Sequence, residues 1–298
     1  MEKKRIIVTG GTGYIGSNLL PSLLDNNFEV AVIVRSIKNT TRIPKKIQIY
    51  INNNNHRDLE NAFESFKPDA VVHLASAYKK CDSLEEIDEL INVNINYGTL
   101  ILHEMDKVKC KHLIIAGSYW QYGGQNKKNG NTLYATSKSA FELISDYYRR
   151  KSGIITNSMI LYDVYGDDDW RNKFINKAII SLYDGEIIMA TPGDQYLDFV
   201  NISDVIDAFI ALLKKTRDKS NKKYSISTGR LLKLRCAVDI IEIISEKKVN
   251  IMWGTIPYPE WQIMRPPSIG SKLKGWDAKI SFENGIKKFF KENNCNES

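Results

Sequence analysis

Short apolar runs alternate with longer stretches in which apolar residues return at every third or fourth position, and this alternation governs the first half of the chain. The runs at 5–9, 29–34, 47–51, 70–75, 111–116 and 155–161 are rich in β-branched residues and read as strands. Between them, 15–26, 58–66, 87–108 and 134–151 carry the helical period. Strands alternating with helices in this way predict an α/β fold, a Rossmann doubly wound parallel sheet covered by helices on both faces. After Gly166 the alternation weakens. Helices at 174–183, 203–215, 234–246 and 282–292, a Pro192-Gly193 turn and a strand at 198–201 suggest a smaller carboxy-terminal substrate-binding region. The expected division gives 1–165 and 198–220 to the dinucleotide-binding domain, and 166–197 and 221–298 to the smaller region.

Composition narrows the class without changing this picture. The chain has 298 residues, 43% hydrophobic and 26% charged, which is ordinary for a globular protein and large enough for a core that needs no disulfide or metal. The longest apolar run, 208–213, is far short of the ~20 residues of a membrane-spanning helix. The amino end lacks the apolar core of a secretory signal, so a cytoplasmic location is expected. Cys81, Cys110, Cys236 and Cys295 lie far apart and form no CxxC pair, which predicts free thiols and neither a zinc site nor a disulfide framework. The net charge of +7 comes from scattered groups such as Lys45-Lys46 and Lys79-Lys80, so it reads as solvated surface rather than a nucleic-acid footprint.

Between the first strand and the first helix stands Thr9-Gly10-Gly11-Thr12-Gly13-Tyr14-Ile15-Gly16. Glycines at 10, 13 and 16 permit a tight turn, close approach of backbone to a pyrophosphate and tight packing of helix on strand, with the helix amino terminus facing the phosphates. The residue closing the second strand, where an acidic side chain would take the adenosine ribose hydroxyls, is Arg35, followed by Ser36. A guanidinium pairs with a 2′-phosphate, so NADP(H) is favoured and NAD(H) is the alternative, with Arg35 then stacked on the adenine. Asp58 is a candidate acceptor for the adenine amino group, and equally a helix N-cap.

Tyr134 and Lys138 are four residues apart and share one face of a helix. A phenol needs a cationic neighbour to exchange protons near neutrality, and Lys138 supplies one. Ser118 lies just past the fifth strand, at the edge of the sheet where such folds gather their ligands, and can hydrogen-bond a substrate oxygen.

In these residues the chain resembles the extended short-chain dehydrogenase/reductase family of nucleotide-sugar epimerases, dehydratases and reductases. The resemblance spans Thr9 to Gly16, His73-Leu74-Ala75, Asn94, Ser118 with Tyr122-Gly123, Tyr134 to Lys138, Val164-Tyr165-Gly166, Asp198-Phe199-Val200 and Gly275-Trp276. It implies that Ser118, Tyr134 and Lys138 are catalytic. It further implies that Gly10, Gly13, Tyr14, Ile15, Gly16, Leu74, Ala75 and Asn94 serve the cofactor, Asn94 also as a proton relay or a structural partner. The region after Gly166 would then hold a nucleotide diphosphate sugar, and a homodimer built on the helices at 87–108 and 134–151 is expected.

Within that family the 4,6-dehydratases carry an Asp-Glu pair after the catalytic Ser or Thr, where this chain has Tyr119 and Trp120. The reductases that also epimerise carry a cysteine in the following loop, and 118–132 has none. What remains is 4-epimerisation with a retained NAD, or reduction of a 4-keto sugar by NADPH, which Arg35 favours. The subgroup most similar is the CDP-abequose and CDP-paratose synthase type, which reduces CDP-4-keto-3,6-dideoxyglucose in deoxysugar biosynthesis for surface polysaccharide. Tyr119, Trp120 and Tyr122 are then expected to wall the sugar site, Asn172 and Lys173 to meet the base or phosphates, and Arg265 the pyrophosphate. Leu197, Ile160 and Asp163 stand where the family usually has Arg, Arg and Asn. A non-catalytic NADP-binding protein is the rival class, and the intact Ser118, Tyr134 and Lys138 argue against it.

Overall fold

Ile6 and Val8 enter one apolar layer while Ile7, between them, enters another, so the first strand is covered on both faces. In order, the computed structural model runs β1 (Arg5–Thr9), α1 (Tyr14–Asp25), β2 (Glu29–Val34), β3 (Gln48–Ile51), α2 (His56–Phe66), β4 (Ala70–His73), α3 (Leu84–Ile91), α4 (Gly98–Lys107), β5 (His112–Ser118), α5 (Leu133–Ser152) and β6 (Ile155–Leu161). There follow β7 (Asp163–Tyr165), α6 (Phe174–Asp184), β8 (Ile188–Ala190), β9 (Tyr196–Leu197), β10 (Phe199–Asn201), α7 (Ile202–Lys214), β11 (Lys222–Ile226), β12 (Leu232–Lys233), α8 (Leu234–Ser245), β13 (Ile251–Trp253), β14 (Ser271–Lys272) and α9 (Phe282–Asn294). The structure describes residues 3–53, 55–79, 81–123, 130–215 and 220–294; Lys80, Cys295 and the stretch 124–129 of the loop read as lacking a cysteine lie outside them. Among the described residues no helix is long and apolar enough to cross a membrane.

The main sheet has eight strands in the order β14-β11-β6-β5-β4-β1-β2-β3, and every neighbouring pair is parallel. One face packs on α1 and α7 through Leu19, Leu20, Leu23, Val205 and Phe209; the other packs on α2, α4 and α5 through Phe63, Ile101, Leu102 and Phe141. This is the doubly wound α/β architecture expected from the alternation. A third apolar cluster joins α6, α8 and α9 around Tyr165 and Phe199. It forms the smaller region, to which the parallel pair β8–β13 and the antiparallel pair β9–β12 also belong.

Two expectations change. The main sheet takes β11 and β14 from beyond residue 220, where the smaller region was expected to resume, so the domain built on that sheet reaches further along the chain. In Lys222-Lys223-Tyr224-Ser225-Ile226 only Tyr224 and Ile226 are buried, and such a strand shows no apolar run to read. The helix read as continuous over 87–108 is interrupted, because Asn92–Tyr97 widen into a π-helical turn between α3 and α4. The wider turn shifts the buried face, and π turns recur at functional sites.

Candidate active site

The glycine loop is built to let backbone meet backbone. Gly10 has φ +71°, and a Cβ there would lie 2.5 Å from the Ala75 nitrogen; a Cβ on Gly16 would lie 2.3 Å from the Gly10 carbonyl oxygen. The loop therefore crosses directly over the residues that follow β4, as Gly13 N–H closes it on Gly10 O at 3.0 Å. Gly13 caps α1 without offering a side-chain acceptor, so the amino end of that helix points its N–H groups at the cleft beside it. The cleft, about 720 Å³, is lined by Gly10, Thr12, Gly13, Leu74, Ala75 and Ser76 at one end and by Val34, Arg35, Asn52, His56, Tyr97 and Leu100 at the other. Its volume and the bare helix terminus fit a dinucleotide, whose pyrophosphate would lie at Gly13 and whose adenosine would lie between Arg35 and Tyr97.

The expected cofactor residues divide. Gly10, Gly13, Arg35, Leu74 and Ala75 line the cleft. Gly16 and Ile15 support the loop from within α1, and Tyr14 turns away, its hydroxyl donating to the Asp167 carbonyl at 3.1 Å and its ring meeting Trp170 and Arg171. Ser36 is occupied with its own turn, accepting from Lys38 N–H. Asp58 is neither a wall of the cleft nor the cap of α2. Asn55 is the cap, and the Asp58 carboxylate accepts from Asn53 N–H at 3.4 Å. Asn94 is likewise not a wall of the dinucleotide cleft. Its amide accepts from Ala77 N–H (2.8 Å) and Ser76 Oγ, and donates to the Ala77 carbonyl and to Ser137 Oγ, which ties the π turn to α5.

Sequence reasoning missed Asn52, Glu89 and Tyr97. Asn52 was open to discovery, since it is the first residue past β3 on the ligand-gathering edge of the sheet. Tyr97 gave no signal because the π turn rotates it off the helical period. Glu89 pairs with Lys79 at 2.7 Å and reaches Arg35 at 3.9 Å, so a carboxylate stands beside the guanidinium at the adenosine end.

Ser118 closes β5 and caps the short turn Tyr119–Tyr122, its Oγ accepting from Trp120 N–H while Gln121 accepts from Ser118 N–H. Thr132 caps α5, and Tyr134 and Lys138 follow on its first two turns. Lys138 Nζ donates to the Ala116 carbonyl at 2.9 Å and lies 5.3 Å from the centre of the Tyr134 ring. Burial pulls the Lys138 ammonium down to about 8, against the attraction of the Glu142 carboxylate one turn further on. Burial raises the Tyr134 phenol; the positive charge of Lys173 and a hydrogen bond with Ser76 act the other way. Tyr78 stands edge-on to Tyr134 at 5.2 Å, and Trp120 meets Trp261 at 5.2 Å, so Tyr78, Trp120 and Trp261 bound the space before the phenol.

Two of the aromatic walls expected from sequence are not there. Tyr119 is buried and stacks on Tyr162 at 5.2 Å within the core, and Tyr122 is bonded to Glu142 and Lys223. Lys173, exposed at the start of α6, lies 5.6 Å from the Tyr78 ring, which places its charge near the phenol rather than at a remote nucleobase. Asn172 is exposed beside it. Arg265, also exposed, lies over Tyr196 at 5.0 Å on the carboxy-terminal side. Burial pushes the Asp163 carboxyl up to about 6, opposed by Lys173 and by a hydrogen bond with Tyr119.

Residues 6–227 match the model of the NAD dependent epimerase/dehydratase family. CDP-abequose synthase of Salmonella muenchen is 29% identical over 290 residues, 96% of either chain. The dTDP-D-glucose 4,6-dehydratase of Bos taurus is 27% identical over 97% of this chain and 89% of its own. Among solved structures, UDP-glucose 4-epimerase of Thermotoga maritima superposes with a TM-score of 0.87 at 21% identity, covering 99% of this chain and 100% of that one. UDP-glucose 4-epimerase of Thermus thermophilus, solved in complex with NAD, superposes with a TM-score of 0.83 at 24% identity, covering 96% and 98%. At such identities these two structures speak for the fold alone.

Proposed function

The chain belongs to the NAD dependent epimerase/dehydratase family, and from that premise we propose that it is an NADPH-dependent reductase of the 4-keto group of a nucleotide-linked deoxyhexose. It modifies a nucleotide sugar with NAD(P), and the finer reading commits to CDP-4-keto-3,6-dideoxyglucose as substrate. The observation that carries this reading is Arg35 on the wall of the dinucleotide cleft, a partner for a 2′-phosphate; behind Ser118, Tyr119 is locked in the core and Trp120 is an aromatic wall, so the two side chains that follow the serine offer no acid and base pair for dehydration. The full-length similarity to CDP-abequose synthases supports the substrate.

When bound, the dinucleotide supplies the hydride. Gly10, Gly13 and the amino end of α1 would hold its pyrophosphate, Arg35 its adenosine phosphate and Lys138 its nicotinamide ribose. Tyr134 gives a proton to the carbonyl oxygen at C4 as that oxygen becomes a hydroxyl, and Ser118 hydrogen-bonds the same oxygen. Lys173 favours the phenolate left behind, and Lys138 lies 5.3 Å from the centre of the ring. Tyr78, Trp120 and Trp261 exclude water from the sugar, while Arg265 offers a cation to a diphosphate.

A second reading has an observation of its own. Glu89 beside Arg35 offers a carboxylate to unphosphorylated ribose hydroxyls, which suits a 4-epimerase that keeps NAD. The two separate on one experiment, the loss of NADPH absorbance when purified protein meets CDP-4-keto-3,6-dideoxyglucose, with NADH and a dTDP-linked 4-keto-6-deoxy sugar in parallel. Rapid oxidation of NADPH is expected. No oxidation with either cofactor, together with NAD released from the denatured protein, would replace the reductase by the epimerase.

A further inference from the structure

One turn beyond Lys138 on α5, Glu142 carries a carboxylate with only 14% of its side chain exposed. Its Oε2 accepts from Lys223 Nζ at 2.7 Å and from the Tyr122 hydroxyl at 3.2 Å, and Lys223 also donates to that hydroxyl. Its Oε1 is buried and has no hydrogen-bond partner among the described residues. A carboxylate satisfied on one oxygen and bare on the other keeps a large part of its field for neighbours inside the protein. Four residues back on the same helix face stands Lys138, whose ammonium is held by the Ala116 carbonyl.

We propose that Glu142 is a positioning residue that keeps the half-buried Lys138 ammonium charged, and that Lys223, by pairing with the same carboxylate, limits how strongly it does so. The proposal rests on the reading of Lys138 as the cofactor-facing cation of the active site. The other described groups around Lys138 give it no countercharge. β5 contributes the Ala116 carbonyl and α5 the Tyr134 ring. β4 contributes His73, which burial and the Lys138 charge itself hold neutral. The π turn and the turn after β5 contribute the neutral amides of Asn94 and Gln121, which with Lys138 wall a void of about 20 Å³. Glu142 is thus the acidic group that works against the burial of Lys138. Tyr122 and Lys223 bring the turn after Ser118 and strand β11 to the same carboxylate, so the charge of the dyad is set partly from the far end of the sheet.

The test is the titration of Lys138 in full-length protein labelled with [ε-¹³C]lysine, its signal identified by loss in Lys138→Arg. Glu142→Gln should move the midpoint about one pH unit lower, and Lys223→Met should move it higher, because the first removes the countercharge and the second removes its competitor. Both changes break the same ion pair, so a merely structural role would move the two midpoints together or leave both in place, and either result overturns the proposal. Lys223 is 42% exposed, so its variant stands alone should Glu142→Gln fail to fold, and a midpoint that does not rise in it is equally decisive. No sugar is present in this measurement. Failure of the 4-keto substrate therefore leaves it intact, and failure here leaves the reductase assay intact.

Discussion

The Lys138 ammonium lies 5.3 Å from the centre of the Tyr134 ring while it is tethered to the Ala116 carbonyl, so strand β5 fixes the cation and helix α5 fixes the phenol over it. In the proposed reaction the two have separable duties. Tyr134→Phe should lower turnover by about 10²- to 10⁴-fold with NADPH affinity kept within a few-fold, while Lys138→Met should lose both. Steady-state rates and fluorescence titration of NADPH check this, and unchanged turnover in Tyr134→Phe would remove the tyrosine from the chemistry.

Gly16→Ala probes the glycine loop. The added methyl would meet the Gly10 carbonyl oxygen at 2.3 Å and the Gly11 Cα at 2.7 Å, both backbone atoms that cannot swing aside. A loss of roughly 2 kcal/mol of stability is expected, together with NADPH binding too weak to measure at micromolar protein. Thermal melts with and without NADPH read both effects, and a ligand-induced rise in Tm equal to that of the wild type would contradict the role of the loop.

Cofactor choice should follow the charges at the adenosine end. Replacing Arg35 by Ser is expected to weaken NADPH by about 10- to 100-fold, the worth of a charge-assisted contact, and NADH by only a few-fold. Glu89→Gln should act in the opposite direction, since it removes the carboxylate that stands 3.9 Å from the guanidinium. Dissociation constants for both cofactors in both variants decide the matter; equal losses for NADH and NADPH in Arg35→Ser would mean that the side chain stacks on adenine.

His73 makes the fold acid-sensitive. Its Nδ1 is 2.7 Å from Thr9 Oγ1, and burial, with help from Lys138, holds its proton affinity down to about 3. Unfolded, the same imidazole binds a proton near pH 6.5, so between about 6.5 and 3 the unfolded chain takes up a proton that the native one refuses. Stability from this group is therefore full above pH 6.5 and is lost as the pH falls, on the order of 4 kcal/mol over the whole window. Asp163, whose carboxyl is raised to about 6, contributes with the opposite sign between 6 and 4. Denaturant melts at pH 7, 6 and 5 should show a steeper decline in the wild type than in His73→Asn; parallel lines would mean that the native imidazole is protonated.

Apart from the π turn within 87–108, the strands and helices up to Leu161 were legible because each either repeats apolar residues at the helical period or gathers them in one run, and the glycine loop and the Tyr134 to Lys138 spacing sit in those elements. Asp58 was misread because acidic residues near a helix start look alike in sequence, whereas the cap is decided by which side chain reaches the free N–H groups, here Asn55. Tyr119 was misread because adjacency to Ser118 says nothing of direction, and the turn after β5 sends that ring inward onto Tyr162. Tyr78, Trp261 and Glu142 were invisible for a different reason. They come from three separated segments, and only the closed fold brings them to one place.

The parallel pairing of β11 with β6 joins Lys222 to Asn157 and Ile226 to Leu161, and β14 then extends the same sheet. β6 is buried along its whole length. A fragment cut after α7 would keep the glycine loop, Ser118, Tyr134 and Lys138, yet it would leave the backbone N–H and C=O groups along one side of β6 unpaired, the kind of edge on which chains pair with one another and precipitate. The half that carries the glycine loop therefore cannot be lifted out as an autonomous module. Any chimera that exchanges the carboxy-terminal part must leave 222–226 and 271–272 with the sheet, and must splice around them on both sides.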